Sequence, residues 1–153
     1  MKIVDYLKED DVLSHLHSST REGVIKEMVD HLQKSGRIED AEELVGILLD
    51  REMLGSTAIG HGVAIPHGRL RGLKEILLVF GRSPEGVDFD AHDGDPVNLF
   101  FLLIAPEDSA GLHLKTLARI SRIVKNPECR NALLKSEDSG SLYHTIEVED
   151  QQH

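Results

Sequence analysis

The stretch V97-N-L-F-F-L-L-I-A105 is apolar at every position except Asn98 and is bounded by Pro96 and Pro106. A strand with one wet face would alternate apolar and polar residues, and a membrane span would need roughly 18 or more apolar residues. A short continuous run of this kind reads as a strand buried on both faces. I76-L-L-V-F-G81 has the same character. Two strands buried on both faces need covering layers above and below, so the chain is expected to form an α/β domain with a central sheet between helices.

Working outward, the flanking segments supply those helices. In S19-T-R-E-G-V-I-K-E-M-V-D-H-L-Q-K-S-G36, Ile25, Met28, Val29 and Leu32 recur at helical spacing. Ser19 and Glu22 fit a capping box there, and Gly36 is a natural stop. In D40-A-E-E-L-V-G-I-L-L-D-R-E-M-L-G55, Ala41, Leu44, Val45, Leu48 and Leu49 share a face, with Asp40 as cap, so Arg51 and Glu52 fall at the C-terminal end. A third helix is expected from near Leu112, with Leu114, Leu117, Ile120, Ile123 and Val124 on one side. A fourth starts at Asn126 as cap with Pro127 in its first turn. S83-P-E-G-V-D-F-D-A-H-D-G-D-P96 reads as a loop with at most a short hairpin. S141-L-Y-H-T-I-E-V148 is expected to add a last turn or an edge strand, and the remaining tail to fray.

Composition removes several classes of function. The 153 residues, 40% hydrophobic and 29% charged, suit one domain spanning 1–153, and no apolar run is long enough for direct membrane insertion. No basic region followed by a long apolar core opens the chain, so a cytoplasmic location is the default expectation. A net charge of −10 argues against nucleic acid as a partner, and the absence of Trp, with two Tyr and four Phe, leaves no stacking platform. Cys129 stands alone, which excludes an internal disulfide or a cysteine zinc ribbon and suits a half-buried helix residue.

Chemistry concentrates in G60-H-G-V-A-I-P-H-G68. His61 and His67 are not an i, i+4 helical pair, and no cysteine or carboxylate spacing completes a zinc set, so no metal site is expected. A G-x-S-x-G elbow and a phosphate-binding G-x-x-x-x-G-K-[ST] loop are both missing. Two readings of the residues stay open: surface histidines in a glycine-rich turn, or a stiffly held imidazole nucleophile. Pro66 and Gly68 favour the second, since one restricts the backbone before His67 and the other removes a side chain beside it. A neutral imidazole has one nitrogen free to attack and one N–H to be held, which suits accepting and giving up a phosphoryl group. Arg51 and His113, both near helix ends, are candidate donors to the phosphoryl oxygens, and the helix start near Leu112 offers free N–H groups.

R51-E-M-L-G-S-T-A-I-G-H-G-V-A-I-P-H-G-R69 resembles the signature of the fructose/mannitol-type enzyme IIA components of the phosphoenolpyruvate-dependent sugar phosphotransferase system. V87-D-F-D-A-H-D-G-D-P-V-N-L-F-F-L-L-I-A-P106 and H113-L-K-T-L-A-R-I-S121 resemble the second half of that domain, so the likeness spans about residues 3–147. It implies a three-layer α/β/α sandwich with a mixed sheet. It also implies that His67 is phosphorylated by phospho-HPr or a nitrogen-branch paralogue, that His113 is the second histidine of the site, and that Arg51 steadies the phosphoryl group. The transfer it implies needs no cofactor and no metal. His61 departs from the pattern, because relatives often place Asn there, and it is expected to be structural or incidental. His92 is expected to be a solvated loop residue.

The resemblance leaves two roles. A sugar-uptake IIA component passes its phosphoryl group to a IIB domain, whereas a nitrogen-regulatory IIA protein controls target proteins through its phosphorylation state. No IIB or permease segment lies in the 153 residues, and F-D-A-H-D-G-D-P-V and H-L-K-T-L-A-R-I-S are nearer in wording to the regulatory group. The regulatory role is therefore the expectation.

Overall fold

In the computed structural model, which describes residues 1–153, two short 3-10 turns at Ile3–Asp5 and Glu9–Asp11 lead into strand β1 (Val12–Leu13). Helices α1 (Arg21–Lys34) and α2 (Ala41–Met53) follow, then the short strands β2 (Ala58–Gly60), β3 (Val63–Ala64) and β4 (His67–Leu70). The long strands β5 (Leu77–Val87) and β6 (Val97–Pro106) come next, and α3 (Ala110–Val124), α4 (Pro127–Lys135) and α5 (Ser139–Gln151) complete the chain. The strands form one sheet in the order β1-β5-β6-β3-β2, with β4 also pairing to β6. The sheet is mixed: β5 and β6 are antiparallel, while β1 runs parallel to β5, and β3 and β4 run parallel to β6.

The continuous apolar runs are explained by alternation into two different cores. Val79, Phe100, Leu102 and Ile104 pack with Val24, Ile25, Met28, Leu32, Leu44 and Leu48 of α1 and α2. Leu78, Phe80, Leu99, Phe101 and Leu103 pack with Ile120, Ile123, Leu133 and Ile146 of α3, α4 and α5. Each core has an edge-to-face aromatic pair, Phe89 with Phe100 at 5.4 Å and Phe80 with Phe101 at 4.9 Å between ring centroids. Such a pair adds about 0.5–1.5 kcal/mol beyond the area it buries.

Local chemistry sets the helix starts, with some shifts from expectation. Asp40 accepts a hydrogen bond from the Glu43 amide at 3.1 Å, and Asn126 accepts one from the Glu128 amide at 3.0 Å, as their positions predict. At α1 the cap is Thr20 rather than Ser19: its hydroxyl accepts from the Gly23 amide at 3.0 Å. Glu22 is released to pair with Lys26 on the exposed face. Gly23 is needed there, since a Cβ would lie 2.8 Å from the Ser18 Cβ. Helix α3 begins at Ala110, before the expected Leu112, and Leu114, expected to be buried, is 66% exposed.

Two segments are more ordered than their composition suggests. The Pro- and Gly-rich stretch after Arg82 continues β5 through a register shift to the Val87–Val97 pair, and Phe89 is fully buried. The C-terminal segment is neither an edge strand nor frayed. Asp138 caps α5 by accepting from the Ser141 amide at 2.8 Å, and the fully buried Asp150 accepts from Arg119 Nε at 2.7 Å. Arg119 also donates to the Asp150 and His153 carbonyls, and the second carboxylate oxygen of Asp150 accepts from the Val4 amide at 3.1 Å. These partners lie 31 and 146 positions from Asp150, so no local pattern announces them. No helix is long and apolar enough to cross a membrane.

Candidate active site

His67 is carried by a strand that is interrupted and then resumed. Ala64 pairs with Phe100 and His67 with Leu103 along the same β6 edge, and between them Pro66 lends its carbonyl to the Leu103 amide at 2.9 Å. The missing N–H of proline thus falls at a break in the ladder, where no strand donor is lost. Gly68 has a use beyond leaving His67 accessible. A Cβ there would stand 3.0 Å from Ile47 Cγ2 and 3.5 Å from Leu48 Cδ2, so the glycine lets α2 lie close on β4. Arg51 is one turn beyond Ile47 on α2, and this packing brings it toward His67.

The His67 ring is held in one tautomer. Its Nδ1 lies 2.7 Å from the Ile65 carbonyl, which can only accept, so Nδ1 carries the proton and Nε2 keeps its lone pair. His113, near the start of α3, stands edge to face with it, ring centroids 5.4 Å apart and planes at 75°. The Nε2 of His113 is buried with no hydrogen-bond partner. Burial, and then the Arg51 charge, hold His67 below the ordinary imidazole range, against the Ile65 hydrogen bond and Glu52, which pull the other way. Burial likewise lowers His113, with further contributions from His67 and Arg69. Both rings are therefore neutral bases at neutral pH.

Arg51 sits in the last turn of α2 and donates to the Gly55 carbonyl at 2.8 Å, which anchors the guanidinium while leaving other N–H groups free. Its neighbour Glu52 is only 3% exposed and accepts from the Thr57 amide at 3.0 Å and the Thr57 hydroxyl at 2.5 Å. That pair fastens the end of α2 to the segment entering β2. The surroundings of the two rings, with arginines contributing to both, suit an anion rather than a metal cation. No group of three or more His, Cys, Asp or Glu side chains converges anywhere in the chain.

The remaining histidines separate from this pair. His61 is exposed at the β2–β3 turn with φ of 57°, between Gly60 and Gly62, both also left-handed at 92° and 76°. Asn, Asp and His are the side chains, glycine aside, that best tolerate this conformation. His92 is exposed in its loop. Cys129 is more deeply buried than half, at 4% exposure on α4, and burial followed by the Glu149 charge pushes its thiol up to about 11. Sequence reasoning placed Glu52 at the end of α2 without giving it a role, and did not single out the Ile65 carbonyl or Arg69. The period-2 spacing of His67 and Arg69 was a usable signal for the last of these.

Residues 5–148 match the family described as "Phosphoenolpyruvate-dependent sugar phosphotransferase system, EIIA 2". A nitrogen regulatory protein of Bradyrhizobium diazoefficiens is 37% identical over 147 residues, covering 95% of each chain. The fructose-specific EIIABC component of Bacillus subtilis is 35% identical over 150 residues, 98% of this chain, which spans only 24% of that longer protein. The crystal structure of the nitrogen regulatory protein IIA-Ntr from Neisseria meningitidis superposes with a TM-score of 0.87 at 30% identity, over 94% of this chain and 98% of the other.

Proposed function

Because the chain belongs to the EIIA 2 family of the phosphoenolpyruvate-dependent sugar phosphotransferase system, we propose that it carries a phosphoryl group on Nε2 of His67. The observation that carries this reading is the Nδ1–H pinned on the Ile65 carbonyl at 2.7 Å. Attack forms the Nε2–P bond and breaks the P–N bond of a donor phosphohistidine, whose ring nitrogen takes back its electron pair. No proton has to leave His67. Its ring becomes cationic on phosphorylation, and the Nδ1–H···O bond strengthens as that charge develops. Arg51 and His113, the latter in the neutral tautomer with its proton on the unpartnered Nε2, supply donors for the phosphoryl oxygens, which is where most of the stabilisation in such a transfer is needed.

The donor is phospho-HPr or a nitrogen-branch paralogue. Exposed apolar side chains adjoin the site residues in the chain: Met53 at 78% and Leu54 at 85% follow Arg51, and Leu114 at 66% follows His113. Apolar groups presented this openly favour a protein partner over a small substrate. Incubation with phosphoenolpyruvate, enzyme I and HPr should give one acid-labile phosphoryl adduct by intact mass, absent in His67→Ala. An adduct that persists in His67→Ala refutes the site.

The downstream role is regulatory control of target proteins, supported by the 37% identity to a nitrogen regulatory protein along nearly the full length of both chains. A phosphoryl group adds about −1.5 to −2 charge beside Arg51, enough to repel a partner that reads the unmodified face. The second reading is transfer to a IIB domain in sugar uptake, favoured by the 35% identity to the fructose-specific component. Phosphate passing to an isolated IIB domain would support the second reading. Target proteins retained by only one of the two phosphorylation states would support the first.

A further inference from the structure

We propose that Arg69 is a second phosphoryl-contacting arginine, which meets the transferring group from the β4 side while Arg51 meets it from α2. The proposal rests on His67 being the phosphoryl acceptor. Gly68 packs on Ile47 and Leu48 of α2, and Leu70 belongs to the core beneath α1 and α2. Alternation along β4 therefore turns His67 and Arg69 away from Gly68 and Leu70, toward the side on which α3 carries His113, and at this open sheet edge Arg69 also lines a cleft with Glu43 and Ile47 of α2. The rings of His67 and His113 meet there at 5.4 Å.

Arg69 is also free to act. It is exposed, and no carboxylate oxygen lies within ion-pair distance of it. Glu43 and Glu107 line the same open cleft, but Glu107 is engaged by Arg71 at 3.4 Å. In a chain with 27 acidic residues against 17 Lys and Arg, an unpaired guanidinium two residues along the strand from His67 is a specific arrangement. The Arg69 charge is felt at His113 and the Arg51 charge at His67, so each ring has its own arginine. A group bonded to Nε2 of His67 and reaching toward the orphaned Nε2 of His113 would carry its negative charge between the two guanidinium groups. A planar fork that binds two phosphoryl oxygens at once suits this task better than an ammonium.

The test uses single-turnover phosphorylation of the full chain, read by intact mass, with two donors: the phosphorylated HPr carrier and the small molecule phosphoramidate. Arg69→Gln is expected to slow both reactions by about tenfold, as loss of one charged donor to the transferring group would. Arg69→Lys should fall between Arg69→Gln and the parent, and Arg71→Gln should match the parent with both donors. Equal melting temperatures of the variants establish that the fold is intact. Parent-like rates for Arg69→Gln with both donors overturn the proposal. A loss confined to the protein donor also overturns it, because Arg69 would then only dock the carrier. An adduct absent from the parent chain itself would instead remove the His67 reading on which the proposal rests.

Discussion

The imidazole of His113 meets that of His67 edge to face at 5.4 Å, with its own Nε2 buried and unpartnered. A buried polar nitrogen without a partner costs about 1–3 kcal/mol. On the proposed reading a phosphoryl oxygen on His67 would relieve that cost, and the loaded site would be better satisfied than the resting one. His113→Ala should leave phosphorylation of His67 possible but slow it by more than about tenfold. Unchanged single-turnover kinetics would show that His113 contributes packing alone.

Arg51→Ala should slow transfer by more than about tenfold, because it removes transition-state charge stabilisation. Its hydrogen bond to the Gly55 carbonyl at 2.8 Å also holds the exit from α2, so melting must be recorded alongside rate. A loss of stability with an unchanged rate would make the residue structural.

Gly68→Ala tests whether close packing of α2 on β4 positions the site. The added Cβ would meet Ile47 Cγ2 at 3.0 Å, and the overpacking should cost about 1–3 kcal/mol in chemical denaturation and slow transfer as Arg51 is displaced. Ile47→Ala placed in the same chain should restore part of the rate. A double variant no faster than Gly68→Ala would refute coupling through this contact.

The depressed titration of His67 and His113 has a defined sign for stability. Both are held below 6.5 chiefly by burial, so just below that pH the unfolded chain binds more protons than the folded one. Their contribution is complete above 6.5 and is lost as the pH falls through the lowered folded values. The melting temperature of the parent should therefore drop more steeply on acidification below pH 6.5 than that of the His67→Gln, His113→Gln double variant. Transfer should fall over the same acid window as Nε2 of His67 becomes protonated. Parallel melting curves for the two proteins would contradict the assignment.

The Arg119–Asp150 pair should prove structural and remote from transfer. Asp150 is fully buried and Arg119 is 8% exposed, so Arg119→Ala leaves a buried carboxylate unpaired, at a cost of about 3–5 kcal/mol. Replacing both residues by Met and Leu should recover much of that loss in denaturant titrations. Phosphorylation of His67 should be unaffected in the double variant, and a large loss of rate there would overturn the separation of the two regions.

Much of the layered fold was legible because hydrophobic periodicity is a local record of burial. The run from Val97 to Ala105 had to be covered on both sides, and from Leu99 to Ala105 its odd and even residues do enter different cores. Asp40 and Asn126 were legible as caps because a cap bonds within its own turn. The shift from Ser19 to Thr20 shows the limit of such reasoning, since two adjacent hydroxyl residues differ only in which backbone conformation the preceding chain allows. Leu114 fits the apolar helical stripe yet is exposed, because periodicity marks a face without saying what covers it.

The sequence by itself determined the two long central strands and four of the five helices, and it supplied His67, His113 and Arg51 as candidates, since each of these rests on residue type and near spacing. Tertiary structure alone decided that His67 and His113 meet, that Ile65 selects the tautomer, and that α2 lies close on β4 at Gly68. It also decided that the C-terminus is fastened through Asp150 to Arg119 and Val4. The physical reason is common to all of these. They are contacts whose direction depends on how β4, α2 and α3 pack together, or on partners 31 and 146 residues apart, and side-chain chemistry leaves no periodic trace of such partners along the chain.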